Sequence, residues 1–402
     1  MQSARVVVSS TVERTPRVLQ LEGLFDVPPS QRVELVWDVA LPLDERPWSI
    51  GLIVGPSGSG KSTVARALWG EAMRKTYDWH PTKSVLDAFP RAMGIKSIVD
   101  LLSSVGFSDP PSWVRPYHVL STGEHFRVTM ARVLAENTDD AVAVVDEFTS
   151  VVDRTVAQVG SAAIARTTRA RQQRLIAVTC HEDVEAWLTP DWVYRPATND
   201  FQWRELQRPP ALTLTIGRVH HSAWLQFRHH HYLDTNLNTA ALCFAAFWRD
   251  RPVAFVAALG FPHKYVPGWR LHRLVCLPDF QGVGIGVALA DFVSSCLHVG
   301  HRHVFRTASH PAVVAHCARS PLWSIRRQPS MAGDKSYDPG RGIVIDTGDT
   351  NMRGAGKAQM KRALARLTTG FEYVGPAAAP DVALALIGAQ PVRPIDSHRN
   401  SF

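Results

Sequence analysis

Long apolar runs are missing from this 402-residue chain. The leading candidate, residues 239–248, falls far below the ~18 residues that cross a bilayer, so no membrane span is expected. The first residues alternate polar and apolar types without the apolar core of a signal peptide, which points to the cytoplasm. Cysteine is scarce. Cys180, Cys243, Cys276, Cys296 and Cys317 are odd in number, scattered and never in a CxxC pair. That excludes a disulfide framework or a zinc module and fits a reducing compartment. Acidic residues are scarce in one half only. Residues 1–208 carry 23 Lys and Arg against 25 Asp and Glu, a net −2, whereas residues 209–402 carry 21 against 11, a net +10. The histidines split 4 and 13 the same way. Ordinary solubility is the plain reading of that excess; a polyanionic partner, nucleic acid first, is the sharper one.

With 45% hydrophobic residues the chain can build a core, and its length allows two or three domains at about 150 residues each. A strand-like run, residues 48–54, leads into Gly55-Pro-Ser57-Gly58-Ser-Gly60-Lys61-Ser62-Thr63, and a helix-compatible stretch follows. This is GxxxxGK[ST] between strand and helix, as phosphate cradling requires. The glycines let backbone N–H groups curl around the β-phosphate, Lys61 reaches the β/γ oxygens, and the Ser62 hydroxyl suits Mg²⁺. A second short apolar run, residues 141–145, ends in Asp146-Glu147. A buried parallel strand reads this way, with Asp146 expected in the Mg²⁺ shell and Glu147 orienting the attacking water.

Between these two motifs stands Leu120-Ser121-Thr122-Gly123-Glu124, opening a helix-compatible stretch. Here the chain resembles the ABC-type ATPases, whose signature is LSGGQ. Ser121 and Gly123 match; Thr122 and Glu124 depart, and the terminal Glu is similar to the soluble, SMC-like branch. The resemblance extends to Ser150-Val-Val-Asp153, which looks like the D-loop, and to His181, which looks like the switch histidine. It implies a head-to-tail homodimer with each ATP sandwiched between Lys61 of one copy and Ser121 of the other. One departure matters: glutamine is absent from Val64 to Leu120, where the family carries a Q-loop Gln. Asp78 or His80 are the candidate substitutes. The gap and the short spacing argue against a transporter arm.

The prolines near residue 209 mark the end of this first domain, 1–208. Strand-like runs follow at 212–219, 241–248 and 252–259. Then comes Leu271-His272-Arg273-Leu-Val-Cys276, the turn Gln281-Gly282-Val-Gly284-Ile-Gly286, and a helix-compatible run, 287–298. No GxGxxG is present, so a dinucleotide-binding reading is not supported. The turn resembles motif A of the GNAT acyltransferases, [RQ]-x-x-G-x-[GA], which implies an acyl-CoA site, acetyl-CoA being the simplest donor. Its pyrophosphate would sit on Gln281, Gly282, Gly284 and Gly286. His231, His263 and His272 are candidate bases. The His229-His230-His231-Tyr232 tract is either a solvated turn or a partial metal ligand set. With the late strand at 370–375 it resembles the Mom-type phage acyltransferases that modify adenine in DNA; that resemblance implies catalytic roles for His231 and Tyr232.

From Thr350 to Phe371 there is no acid, while Arg353 to Arg366 is cationic. Arg302, Arg306, Arg326 and Arg327 are expected to extend this patch toward phosphates. Residues 376–402 are expected to form a loose tail. The expected fold class is α/β: a P-loop ABC-type ATPase domain, then an α+β GNAT domain (209–348) with a mixed sheet, then a basic arm, last strand and tail (349–402). The expected function is ATP-controlled acyl transfer to a nucleic-acid base, DNA adenine first. The alternatives are acetyl transfer to a protein or small-molecule amine with the ATPase as sensor, and an ATP-gated DNA-binding protein without catalysis.

Overall fold

The computed structural model describes residues 2–11, 13–25, 32–74, 77–137, 141–204, 211–233, 235–262, 266–331 and 367–391. His263 and the cationic stretch 353–366 lie outside them. The chain divides into two compact units, and the division is not a single cut. Residues 1–94 and 115–211 form the first; residues 95–114 join 212–402 in the second. The segment 95–114 thus packs with the second unit although the sequence reading groups it with residues 1–208.

In the first unit an antiparallel pair, β1 (Gln2–Thr11) and β2 (Arg32–Leu41), accompanies a six-stranded sheet. That sheet is built from β3 (Ile50–Val54), β4 (Met73–Arg74), β5 (Val142–Val145), β6 (Arg174–Thr179), β7 (Trp192–Arg195) and β8 (Asp200–Trp203), in the order β4-β5-β6-β3-β7-β8. All neighbours are parallel except β7 and β8. Helices α1 (Lys61–Trp69), α3 (Thr122–Glu136) and α4 (Arg154–Ala170) make the crossovers; the label α2 belongs to Ile95–Ser104 in the second unit. Every residue of β3 is buried, the near-continuous apolar pattern expected of a strand covered on both faces. Gly51 is required here, because a Cβ would lie 2.1 Å from the buried Trp192 ring. Since β5, β6 and β3 are parallel neighbours, their C-terminal ends deliver three motifs to one edge: Asp146-Glu147, His181 and the glycine loop. Ligands of open α/β sheets bind at that edge.

The second unit holds a seven-stranded sheet, ordered β14-β15-β13-β12-β11-β10-β9. Its strands are β9 (Thr215–Val219), β10 (Leu242–Trp248), β11 (Arg251–Phe261), β12 (Gly268–Cys276), β13 (His303–Ala308), β14 (Trp323–Met331) and β15 (Leu367–Tyr373). Among the described residues only β12 and β13 run parallel. They pair from Gly268↔His303 to Leu271↔Arg306 and then part. Beyond that point β12 stays with β11, and β13 with β15. The sheet therefore opens a V at the C-terminal ends of its two parallel strands. Helices α5 (Ile285–Leu297) and α6 (Pro311–Arg319) follow β12 and β13.

Two expectations need correction. The tail is not loose throughout: α7 (Pro380–Gly388) buries Ala383 and Leu386, and Arg218 donates to the carbonyl of Ala389 at 3.2 Å, capping its end. Arg306 is not a surface cation. It is 5% exposed, with its guanidinium on Cys317 Sγ at 3.7 Å and over the Trp323 ring. Burial lowers its pKa from the ordinary value.

Candidate functional site

Two turns carry the candidate chemistry, and each is strand, glycine loop, helix. The first follows β3. Gly58 and Gly60 have φ of 79° and 87°, the left-handed region that costs other residues about 1–2 kcal/mol. Gly60 caps α1 without a side chain, so the first-turn N–H groups at Lys61, Ser62 and Thr63 have no intrahelical acceptor and the helix dipole favours an anion there. A Cβ on Gly60 would also lie 2.4 Å from the Trp37 ring of β2. Gly55 and the exposed Ser57 form the loop's opening. Lys61 is 9% exposed, and its ammonium donates to the Pro56 carbonyl at 2.8 Å, folded back over the loop.

Ser62 Oγ donates to Asp146 Oδ1 at 3.0 Å, which also accepts from the Glu147 N–H at 3.0 Å. Two oxygen donors of the hard type that Mg²⁺ prefers thus meet at the mouth of the loop, and the residues fit that ion. Glu147 and Thr149 both have positive φ, 55° and 66°, and the Thr149 hydroxyl is buried without a partner among the described residues. A β-branched residue in this region is strained by about 1–3 kcal/mol, and such strain concentrates at functional sites. The Phe148 N–H, bonded to the Val178 carbonyl at 2.9 Å, holds the strained turn against β6. Glu147 is exposed and accepts from Ser150 Oγ at 2.6 Å. Asp153 caps α4 through the N–H groups of Thr155 and Val156. The N–H of the half-buried His181 donates to Thr179 Oγ1 at 3.2 Å.

Ser121 caps α3, and Glu124 closes a reciprocal capping box on its N–H at 2.8 Å. The departure of Glu124 from the LSGGQ pattern therefore has a local structural use. Ser121 is exposed and Glu124 half-buried, and a Cβ at Gly123 would meet Val156 at ordinary contact distance. Neither candidate for the missing Q-loop glutamine stands apart from local structure: His80 Nδ1 accepts from the Thr82 N–H at 3.2 Å, and the Asp78 carbonyl meets Arg132 at 3.5 Å. The aromatics around them stack toward α3, Trp79 on Tyr117 at 4.3 Å and Tyr117 on His125 at 4.1 Å.

The second turn follows β12, on one lip of the V. Gly282 and Gly284 have φ of 93° and 89°, and Gly284 caps α5 without a side chain, as Gly60 caps α1. A Cβ added at Gly286 would lie 3.5 Å from the Cβ of Cys276, so the helix packs close on the strand. His272 falls where the register slips: Ala257 pairs with Arg273 and Ala258 with Leu271, a bulge beside the parting of the strands. The side chain of Gln281 is committed to the protein. Its amide donates to the Cys276 carbonyl at 3.0 Å, and its oxygen accepts from the Ser108 N–H at 2.9 Å.

Ser309 and His310 form the other lip. Tyr232 reaches it, its hydroxyl 2.9 Å from Ser309 Oγ and its ring 6.0 Å from the His310 ring. His231 stacks on Tyr232 at 5.9 Å and meets the buried Trp224 edge-on at 5.6 Å. His229 and His230 are exposed, and no group of three metal-ligating side chains occurs among the described residues. Sequence reasoning missed Ser309 and His310, because nothing near them matches a motif; their place directly after a parallel strand was the available signal. His310 Nε2 lies 3.3 Å from the Ser108 carbonyl, which can only accept, so Nε2 carries the proton. Nδ1 is buried without a partner among the described residues. Burial pushes this imidazole below the ordinary 6.5 and Arg306 adds to that, while the Ser108 bond and Asp109 oppose it.

Residues 200–308 match the Acetyltransferase (GNAT) family, a span that ends with β13 and contains the bulge, the glycine turn and α5. No curated protein matches the sequence. Among solved structures, the chain is similar to a dimeric bacterial ABC transporter cassette at 14% identity (41% of this chain, 89% of the cassette, TM-score 0.32). It is similar to that cassette after hydrolysis, bound to ADP and Pi, at 14% identity (51% and 98%, TM-score 0.37). A third is the archaeal ribosome recycling factor in complex with the archaeal ribosomal stalk protein, at 19% identity (37% and 35%, TM-score 0.29). No helix among the described residues is long and apolar enough to cross a membrane.

Proposed function

We propose that the protein is an ATP-controlled acyltransferase that moves an acyl group from acyl-CoA to an amine on a nucleic-acid base, DNA adenine first. The observation that carries the transfer reading is the V between β12 and β13, with a left-handed glycine turn on one lip and Tyr232 on the other. The turn at Gln281, Gly282, Gly284 and Gly286 would hold the pyrophosphate of acyl-CoA, leaving the thioester to lie along the parted strands. His231, His272 or His310 would take the proton from the attacking amine as the N–C bond forms and the C–S bond breaks. Tyr232, its hydroxyl bonded to Ser309, would give the departing thiolate its proton.

In the first unit, Gly55, Ser57, Gly58, Gly60, Lys61 and Thr63 would cradle the ATP phosphates. Ser62 and Asp146 would hold Mg²⁺, which neutralises developing phosphate charge. Glu147 would orient water, and His181 would contact the γ-phosphate. The exposed Ser121, with Gly123 beside it, would complete the site of a second copy, giving a dimer glued by ATP. The experiment is nucleoside mass spectrometry of DNA from cells expressing the chain: an acylated adenine supports the reading, and an unchanged adenine profile overturns the choice of base.

One observation favours an amine on a protein or small molecule instead. Arg306 is buried, Arg326 pairs with Glu372, and Arg327 donates to Thr368 at 2.6 Å, so three of the four named arginines already have partners. Salt titration separates the readings: DNA affinity that falls steeply with salt supports the nucleic acid, and a flat response supports the alternative.

A further inference from the structure

Ser108 does something that no motif announces. Its N–H donates to Gln281, on the lip that follows β12, and its carbonyl accepts from His310, on the lip that follows β13. One residue of the segment 95–114 therefore joins the two sides of the V through its backbone alone. The segment is stiff at this point. Helix α2 ends in a Schellman turn, with Gly106 at φ 90° and the Phe107 N–H bonded to the Leu102 carbonyl at 2.9 Å. Directly after Ser108, Asp109 precedes Pro110 and Pro111, and its carboxylate accepts from Ser112 Oγ at 2.5 Å. Phe107 and Trp113 are buried, the Trp113 indole N–H donates to the Phe107 carbonyl at 2.9 Å, and its ring lies 6.0 Å from that of His310. The residue is thus clamped from both sides, and His310 passes its position to Tyr232.

The segment is also tethered at both ends to the nucleotide-binding unit. Val114 is followed by Arg115, whose carbonyl accepts from the Val85 N–H at 3.0 Å in the first unit, and the Ser121 motif begins a few residues later. We infer that residues 95–114 are a strap that sets the opening of the acyl-CoA cleft through Ser108, and that nucleotide binding acts on acyl-CoA affinity by shifting this strap. The inference rests on the two-site reading above and names the device that joins the sites. By linkage, acyl-CoA then changes nucleotide affinity by the same factor.

The test uses the full chain, desulfo-CoA as acyl-CoA mimic and AMP-PNP as nucleotide. Calorimetry is expected to show a desulfo-CoA dissociation constant that differs about 5–150-fold with and without AMP-PNP. Gln281→Met loses the bond from Ser108 together with the one to the Cys276 carbonyl, and His310→Phe loses only the bond to Ser108; in both, the ratio falls to within about twofold of one. Ser108→Ala, which leaves the backbone bonds intact, keeps the ratio. A ratio of one in the unaltered chain with both ligands bound overturns the strap but not the two sites. So does a ratio that survives in Gln281→Met and His310→Phe. If desulfo-CoA fails to bind, the acyl-CoA reading falls and amide hydrogen exchange decides: changed protection of residues 105–109 on adding AMP-PNP supports the strap, and unchanged protection refutes it.

Discussion

Gly60 and Gly284 stand at φ 87°, ψ 7° and φ 89°, ψ 7°, each capping a helix that follows a strand. The backbone device is the same; the surroundings differ. The first turn has the buried Lys61 and the Ser62–Asp146 oxygen pair against it. The second has no Lys or Arg from Gln281 to Leu297, and its one long polar side chain, Gln281, is spent on protein contacts. Fixed N–H groups suffice to hold a phosphate that serves as a handle. A phosphate at which bonds break needs mobile charge as well, since negative charge develops there.

The comparison can be broken most severely at its charged member. Lys61→Ala is expected to lower ATP hydrolysis by about 10²–10³-fold, the scale of losing one charge-stabilising group, while desulfo-CoA affinity at fixed nucleotide-free conditions stays within about twofold. Phosphate-release and calorimetric assays check both. Next come the capping glycines themselves. Gly60→Ala adds a clash with Trp37 to the left-handed strain and should cost about 2–5 kcal/mol in urea unfolding. Gly284→Ala meets only Val287, at 3.9 Å, and should cost about 1–2 kcal/mol. Equal costs would mean that Trp37 yields freely, and the first turn would lose its claim to be the tighter one.

A smaller effect concerns pH. His310 titrates below the ordinary 6.5, so the unfolded chain takes up this proton first as pH falls. Its contribution to stability is full above pH 6.5, declines as pH drops toward the folded-state value, and changes no further below it. Urea midpoints across pH 8 to 5 should therefore fall less in His310→Phe than in the unaltered chain. The smallest expected effect is chemical. Burial pushes the Cys243 thiol up to about 11, so alkylation at neutral pH should reach the exposed Cys180 long before Cys243, as peptide mass mapping would read.

Much of this was legible in the sequence because it is local. Strand, glycine turn and helix occupy adjacent residues at both turns, and the helix-compatible run 287–298 lies on the helix that forms at Ile285–Leu297. What escaped is contact between distant positions. Ser108 and Gln281 are 173 residues apart, and no pattern in either stretch refers to the other. The burial of Arg306 follows from Cys317 and Trp323 closing over it, so counting charge along β13 mistakes an interior cation for a surface one. Helix α7 follows an Ala- and Pro-rich stretch whose composition alone suggests looseness; the apolar faces of α5 and β9 supply the support that makes it fold.

The interrupted path of the chain has a consequence for its making. Residues 95–114, whose Ile98, Leu101, Phe107 and Trp113 are buried, leave the ribosome about a hundred residues ahead of the rest of the unit they belong to. Until residues 212–331 are made, that apolar strip has no cover, and the usual order of folding, front domain first, is held open in its middle. A polypeptide ending near residue 211 would keep it bare indefinitely. The two halves were therefore not joined as beads on a string: neither can be cut out and exchanged as a cassette without carrying a piece of the other.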